Sequence, residues 1–265
     1  MRKTLFIVLL LILCSILVTF PNVEIVKAQS TIYIRADGSV EGTDSLFQNG
    51  NVYVFTEDIN GSVVVERDNV VVDGAGFVLQ GAGPWNFVCL NISSRTNVTI
   101  KNMRIEYGGV DAIHIFNSSN YAISDNNIIF PILDYYYQPR INLNNSSNNV
   151  LSGNNGQISF VESDGNILFS NSLGISLSKS LNNTITGNKN RIELTESSNN
   201  FISENNSTIE LDTQSNGNII SENIGFIGLW GSSNNSIIGN NGKILIFESH
   251  TNTIIQNTVE NNRPY

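Results

Sequence analysis

The ten residues from Ser146 to Asn155, SSNNVLSGNN, decide the fold, because the chain repeats their pattern down to its last residues. With Asn149 as the reference position, an Asn recurs in steps of 17 residues, with one step of 18, and a second Asn follows each of them by five positions. A fixed period is the sequence signature of a repeat architecture. The reference residues are Asn149, Asn166, Asn183, Asn200, Asn218, Asn235 and Asn252, and the second residues are Asn154, Asn171, Asn188, Asn205, Asn223, Asn240 and Asn257.

Apolar residues fill three further columns of this repeat. An aliphatic residue follows each reference Asn by two positions, and two more stand nine and eleven positions after it, as Ile158 and Phe160 do after Asn149. The last two columns have the two-residue period of a strand with one buried face. Each unit is therefore predicted to form a short strand, an Asn bend, a second strand and a bend that contains Ser. Because no unit can bury its apolar residues alone, the units must stack as a solenoid.

The unusual composition is explained by this frame. Asn makes up 41 of the 265 residues and only 14% of residues are charged, which alone would suit a disordered tract. Asn tolerates left-handed backbone conformations at bends. Equal Asn side chains on successive turns, about 4.8 Å apart, can also form a hydrogen-bonded ladder. The regular columns therefore predict an Asn ladder in a solenoid and not a disordered chain.

The repeat continues upstream with longer steps. Asn69, Asn97 and Tyr121 are assigned to the reference position, and Asn102 and Asn126 to the second Asn column. These assignments predict about ten turns, the upstream ones wide and the later ones narrow.

The domain organisation follows from where the frame begins. Residues 67–265 are predicted to form the solenoid, with wide turns over 69–148 and 17-residue turns over 149–262. Residues 29–66 lack the Asn frame but alternate as strands do. We interpret them as an N-terminal β cap, since an open solenoid end would expose strand edges.

The first 28 residues have the layout of a secretory signal peptide. Arg2 and Lys3 precede an apolar run from Leu5 to Phe20, and residues suited to a signal peptidase precede a cleavage site after Ala28. The run is shorter than the about 20 residues of a membrane-spanning helix, which favours cleavage over a retained anchor. We expect a secreted or cell-surface protein with no membrane span in the mature chain.

Composition also excludes several kinds of partner. A net charge of −9 argues against nucleic-acid binding, which needs a basic face. Two Cys and two His in the whole chain offer too few ligands for a zinc or copper site. We therefore expect no metal and no cofactor.

The stretch GSVVVERDNVVVDGAGFVLQGAG at 61–83, with SRTNVTIKNMRI at 94–105 and the later SSN and N-x-I units, resembles secreted right-handed parallel β-helix proteins. The similar group is the NosD-like, carbohydrate-binding and sugar-hydrolase β-helix family, which has the pectate-lyase-like fold and is common among archaeal surface proteins. The resemblance covers about residues 31–262 and implies an all-β, single-stranded right-handed parallel β-helix. The 17-residue turns look like family turns that lack one N-x-I half-turn, and the hexapeptides of left-handed β-helices do not fit their columns.

The same resemblance says less about activity, because this fold carries lyases, hydrolases, adhesins and accessory proteins. The motifs N-T-D, D-D, G-H-G and R-I-K of the family's hydrolases do not occur in the sequence. A binding or structural role, with polysaccharide as the partner, is therefore favoured. A carbohydrate-active enzyme, either a polysaccharide lyase or a glycoside hydrolase, stays open as the alternative.

Two insertions in the wide turns carry the candidate site. The first falls near 81–87 and the second near 130–140, and both are expected to leave the solenoid on the same side. Sugar rings stack on aromatic faces while their hydroxyls bond to polar groups, although the loops could equally do no more than seal the solenoid. The candidate ligand-binding residues are Trp85, Tyr107, Tyr135, Tyr136 and Tyr137, and the catalytic candidates of the enzyme alternative are Asp111, Asp134, Arg140 and His114, with the two carboxylates as acid and base.

Outward positions of the narrow turns are partly apolar. Trp230 and Phe247 stand twelve positions after successive reference residues and are expected to stack. Such a stripe could bind another copy of the chain, but scattered apolar surface residues are ordinary. Self-association through this stripe or through the solenoid end therefore stays an alternative. Other apolar outward residues are Ile167, Phe169, Phe201, Ile219, Ile238 and Ile255.

Overall fold

A computed structural model describes residues 30–81, 88–106, 110–129 and 139–258. The predicted signal peptide, 1–28, lies outside the described residues. Within them the chain forms 27 strands and no helix. The strands are β1 (Ser30–Ile34), β2 (Val40–Glu41), β3 (Leu46–Asn49), β4 (Val52–Phe55), β5 (Ile59–Val65), β6 (Val71–Asp73), β7 (Val78–Gln80), β8 (Val88–Ser93), β9 (Thr99–Lys101), β10 (Arg104–Glu106), β11 (Asp111–Phe116), β12 (Ala122–Ser124), β13 (Asn127–Ile129), β14 (Arg140–Asn144), β15 (Val150–Ser152), β16 (Gln157–Val161), β17 (Ile167–Phe169), β18 (Ile175–Ser178), β19 (Thr184–Thr186), β20 (Ile192–Thr195), β21 (Phe201–Ser203), β22 (Ile209–Asp212), β23 (Ile219–Ser221), β24 (Ile227–Trp230), β25 (Ser236–Ile238), β26 (Ile244–Phe247) and β27 (Thr253–Ile255).

Each turn of the chain contributes one strand to each of two long parallel sheets. The first sheet runs from β5 through β8, β11, β14, β16, β18, β20, β22 and β24 to β26, and the second from β4 through β6, β9, β12, β15, β17, β19, β21, β23 and β25 to β27. The narrow turns stack with no change of register, so Ile175 lies opposite both Ile158 and Ile192. The predicted parallel β-solenoid is confirmed.

A third, short sheet distinguishes the wide turns. It consists of β7, β10 and β13, and it joins the end of β5, where Ile59 lies opposite Leu79. The narrow turns pass from the second sheet to the first without such a strand. The 17-residue turn is therefore a wide turn without its third side, as the comparison of turn lengths predicts.

The apolar columns form the core between the sheets. The residues two positions after each reference Asn, from Leu151 to Ile237, are completely buried, and those nine and eleven positions after it are at most 2% exposed up to Leu229. Burial of a side chain of this size stabilises the fold by about 1.5–3 kcal/mol, so stacking supplies what a single turn lacks.

Both predicted Asn ladders are present. The backbone N and the Nδ2 of Asn149 each donate to Oδ1 of Asn166 at 2.9 Å. In the second column Asn154 makes the same pair of bonds to Asn171 at 3.1 Å, and its Nδ2 also bonds to the carbonyl of Ile123 at 2.8 Å. The amides of these residues are thus paired in spite of their burial, which removes the cost of placing them inside. Among the described ladder residues only Nδ2 of Asn235 is buried without a partner.

The serine column is a third ladder, which the sequence analysis treated only as part of a bend. Ser163 and Ser180 are completely buried, and the backbone N of Ser163 donates to Oγ of Ser180 at 3.1 Å. The hydroxyl of Ser163 donates to the carbonyl of Val161 at 2.9 Å. A hydroxyl is small enough to bond backwards along its own chain while accepting from the turn before.

The register assigned to the first two wide turns is wrong by one residue. Thr99 lies opposite Ala122, and Ala122 lies opposite Val150. Val98, and not Asn97, therefore occupies the reference position of that turn.

The reason is that Asn serves two roles at this bend. Asn69 and Asn97 have left-handed φ values of 57° and 56° and are exposed, as is Asn148, the residue just before Asn149. Nδ2 of Asn97 donates to Oδ1 of Asn69 at 2.8 Å, so the two form an outer pair beside the inward Val70 and Val98. Asn suits the left-handed bend as well as it suits the ladder.

The second Asn column is corrected in the same way. Asn102 has a φ of 52° and is a bend residue. Met103 follows it, is 1% exposed, and its backbone N donates to Oδ1 of Asn126 at 3.1 Å. The second Asn ladder therefore begins at Asn126. In the turn before it, the apolar Met103 occupies the equivalent position.

The two ends of the described solenoid differ. At the start, β1 pairs with β5 and β3 pairs with β4, and Tyr53 is buried there with its hydroxyl bonded to the carbonyl of Gly38 at 2.8 Å. At the other end Ile254 is 49% exposed, whereas the equivalent Ile237 is completely buried. The last described turn therefore presents part of its core column to solvent.

Candidate functional site

The structure describes three of the nine predicted site residues. Asp111, His114 and Arg140 are described and lie together on the first sheet. The other six lie outside the described residues, namely Trp85, Tyr107, Asp134, Tyr135, Tyr136 and Tyr137. The chain around them connects the third sheet to the first, from β7 to β8, from β10 to β11 and from β13 to β14.

Asp111 is the centre of the cluster. Its Oδ2 accepts hydrogen bonds from Nδ1 of His114 and from Nδ2 of Asn142, both at 2.9 Å, and its Oδ1 accepts from Nε of Arg140 at 3.0 Å. The residue is only 8% exposed. A nearly buried carboxylate needs such partners to remain ionised.

A β-bulge brings Asp111 to this place. Asp111 pairs with Arg140 and Ile113 pairs with Ile141, so Ala112 is an extra residue in β11. In a regular strand Asp111 would share the inward face of Ile113. The extra residue re-aims its side chain toward the outward His114, which is what bulges do beside functional sites.

The charge state of Asp111 follows from its surroundings. Burial raises the pKa of this carboxyl, but the hydrogen bonds from His114, Asn142 and Arg140, with the guanidinium charge, outweigh burial and hold its pKa below 3.8. Asp111 is therefore an anion at neutral pH and positions the groups around it.

Asn142 belongs to the cluster and was missed by the sequence analysis. It lies between Ile141 and Leu143, in register with His114. The side chain is 8% exposed, and its Oδ1 is buried without a hydrogen-bond partner among the described residues. A buried acceptor of this kind is unusual. Its place in the outward row, in register with His114, was the available signal in the sequence.

His114 presents one ring nitrogen to its surroundings. Because the Asp111 carboxylate can only accept, Nδ1 of His114 is the donor in their 2.9 Å bond. The neutral tautomer then leaves Nε2 as an acceptor, and the side chain is 26% exposed. His114 is half-buried between the completely buried Ile113 and Ile115, so it lies on the outward face of β11.

An open groove of about 710 Å³ runs from this cluster along the first sheet. Arg140 stands at one end and Arg191 at the other, with the small residues Ser159, Gly174 and Ser176 between them. Long side chains at the ends and short ones in the middle create the depression. Its lining also includes Gln157, Ile158, Leu173, Ile175, Asn190 and Glu193.

The far end of the groove is formed by an ion-pair cluster of one cation and two anions. Arg191 forms ion pairs with Glu193 on its own strand and with Glu210 on the next. The groove therefore combines charged ends with a hydroxyl-lined floor, a pattern that suits a ligand rich in hydroxyl groups.

The described residues contain no group of three or more His, Cys, Asp or Glu side chains that could hold a metal ion. Cys89 and Met103 are buried in the core. Burial raises the pKa of the Cys89 thiol to about 12, so this thiol is neutral.

Neither a protein-family model nor a curated protein matches the sequence. Solved structures do match the fold. A double mutant of the periplasmic alginate epimerase AlgG superposes with a TM-score of 0.54 at 15% identity, covering 88% of this chain and 73% of the epimerase. The Streptococcus pneumoniae surface protein and adhesin PfbA superposes with a TM-score of 0.55 at 13% identity, covering 79% of this chain and 87% of the adhesin. The fold is the right-handed parallel β-helix.

The resemblance seen in the sequence is thereby confirmed at the level of the fold. At such low identity the β-helix neighbours show the fold alone, and one of them is an enzyme while the other is an adhesin. In the described part of the β-helix no helix is long and apolar enough to cross a membrane.

Proposed function

We propose that this β-helix binds a polysaccharide along the outer face of its first sheet. The observation that carries the proposal is the groove that begins at the Asp111 cluster and ends at Arg191. Its floor of Ser159 and Ser176 offers hydroxyls, and the guanidinium groups of Arg140 and Arg191 at its ends offer donors to sugar oxygens. The name of one structural neighbour, an alginate epimerase, supports a ligand of this class.

A blocking substitution tests the site without removing any of its contacts. Ser176 is exposed on the groove floor, and Ser176→Trp fills the groove. Thr186→Trp is the matched control, because Thr186 is an outward residue of a strand in the second sheet. We expect Ser176→Trp to weaken binding by more than about tenfold and Thr186→Trp to leave it unchanged.

Binding is measured by affinity electrophoresis and titration calorimetry with alginate, polygalacturonate, xylan and β-glucan. The proposal predicts that the wild type is retarded by at least one of these polysaccharides. Retention of none of them, or equal weakening by the two tryptophan variants, would overturn it.

We propose in addition that the protein is secreted or displayed on the cell surface after cleavage following Ala28. The charged and apolar layout of residues 1–28 supports this location, and the two neighbours are described as periplasmic and as a surface protein. Mass spectrometry of the exported protein should find Gln29 at its N terminus. An N terminus at Met1 would show that the segment is retained.

The Asp111 and His114 pair favours a carbohydrate-active enzyme, a lyase or hydrolase, as the second candidate. An ionised Asp111 with three donors is not a proton donor at neutral pH, whereas Nε2 of His114 can accept a proton from a bound sugar. Incubation with each bound polysaccharide, followed by chromatography of the products, tests this candidate. Products released by the wild type and not by His114→Gln would support the enzyme. If the wild type releases no products, the enzyme candidate fails and polysaccharide binding is the function that stands.

A further inference from the structure

The indole of Trp230 packs against Gly228, a glycine of its own strand. A Cβ built on Gly228 would lie 2.1 Å from Cη2 and 2.3 Å from Cζ3 of the indole, so the ring occupies the space that any other residue would fill. Gly228 has no left-handed φ, so the backbone does not require a glycine there. Glycine in a strand interior weakens the strand and often marks a close approach. We therefore attribute the glycine at position 228 to the indole, which occupies the space of a side chain there.

The resulting surface lies beyond the Arg191 end of the groove, on the same outward row of the first sheet. Gly228 is in register with Glu210, Glu193 and Ser176, which are the outward residues of the preceding turns. Gly228 is buried while Trp230 is partly exposed, so part of the indole is accessible beside this row.

Phe226 holds the indole in this position. The two rings lie 6.2 Å apart between centroids with an interplanar angle of 46°, an ordinary tilted aromatic contact. On the next turn Leu245, opposite Gly228, is 43% exposed. We name the surface formed by Phe226, Gly228 and Trp230 the indole platform.

We propose that the indole platform stacks against one pyranose ring of the same polysaccharide that occupies the groove. This inference rests on the proposed function and extends it to an oligosaccharide lying along the solenoid axis. An aromatic face packs against the apolar C–H face of a sugar ring. From Arg140 on β14 to the platform on β24 there are five strand spacings, about 24 Å. Since successive rings of an extended pyranose chain repeat at close to one strand spacing, the ligand is about five to six sugars long.

Two variants test the platform by different routes. Trp230→Ala removes the indole, and Gly228→Ala displaces it while leaving it in the chain. For a hexasaccharide we expect both to lower the affinity by about three- to tenfold, with the affinity for a disaccharide unchanged. Phe201→Ala is the matched control, because it removes an exposed aromatic residue, 42% exposed, from the second sheet.

The measurements use hexasaccharides and disaccharides of alginate, polygalacturonate and xylan. If the wild type binds a hexasaccharide that Ser176→Trp blocks, and both platform variants bind it as the wild type does, the platform is overturned while the proposed function stands. If the wild type binds none of the hexasaccharides, the proposed function fails as well.

Fluorescence tests the platform without altering it. The chain has two tryptophans, so Trp85→Phe leaves Trp230 as the only indole. Saturation with the bound hexasaccharide should shift or quench its emission, and the disaccharide should not. Unchanged emission at saturation would overturn the proposal even if Trp230→Ala fails to fold.

Discussion

Replacing Asn183 by leucine tests the Asn ladder at its centre. The side chain is 1% exposed, and its Oδ1 accepts hydrogen bonds from N and Nδ2 of Asn166 at 2.8 and 3.0 Å. Its own Nδ2 donates to Oδ1 of Asn200 at 3.1 Å. Leucine has nearly the same size and no polar atom. The substitution therefore leaves two buried donors of Asn166 without an acceptor.

The expected loss follows from these bonds. Each buried donor without a partner costs about 1–3 kcal/mol, and burial of the leucine side chain offsets roughly 1.5–2 kcal/mol of the total. Two such donors together cost about 2–6 kcal/mol, so we expect a net loss centred on about 2 kcal/mol in the free energy of unfolding. Urea denaturation followed by circular dichroism measures it. Because neighbouring turns of a solenoid can open locally, amide exchange at Asn166 should also become faster.

Asn182→Gly is the matched control. Asn182 is the exposed bend residue before Asn183, with a φ of 55° that glycine adopts freely. Its substitution should change stability by less than about 0.5 kcal/mol. If Asn183→Leu costs no more than Asn182→Gly, the ladder is not a source of stability and the reasoning is refuted.

Three other outcomes follow from burial and charge. Ile202→Ala should cost about 3–4 kcal/mol in urea denaturation, and Ile219→Ala, which is 44% exposed, less than about 1 kcal/mol; similar costs would contradict the assigned core. Cys89, with its pKa raised to about 12, should react with maleimide only after unfolding, and the stability linked to its neutral thiol should decline as pH rises above 9 toward 12. Asp111 has a lowered pKa, so its contribution is present above pH 3.8 and is lost as pH falls through its lower folded value; Asp111→Asn should flatten the acid dependence of the melting temperature, and an unchanged curve would contradict the cluster.

The narrow turns could be predicted from sequence because each column has one role. Ile185 and Ile192 are inward core residues, and Asn183 and Asn188 are inward ladder residues. The 17-residue period assigns the inward and outward positions of every narrow turn together. A wrong assignment would therefore place polar residues in the core of every turn.

The wide turns were less predictable because Asn is suited to two neighbouring positions. Where Val98 and Met103 take the inward place, the Asn beside each remains at the bend and imitates a ladder residue. Only the pairing of strands separates the two roles. Sequence spacing alone therefore shifts these turns by one residue.

The candidate site could be predicted only in part. Asp111, His114 and Arg140 were chosen for their chemistry, but the bulge at Ala112 that joins them has no signal in a single sequence. Asn142 could have been predicted as a member of the cluster, because it lies in the outward row of β14 beside Arg140. The indole platform depends on a glycine whose importance appears only when the ring of Trp230 is placed over it.

A crystal structure of the chain with a bound hexasaccharide is the most direct test of where the ligand lies. Density for the sugar chain should follow the outer face of the first sheet, from Arg140 across Ser176 to Trp230. Sugar hydroxyls should lie within hydrogen-bond distance of Ser159 and Ser176, and one ring should be stacked on the indole. A sugar chain on the second sheet, or on the solenoid end near Ile254, would contradict the assignment of the groove.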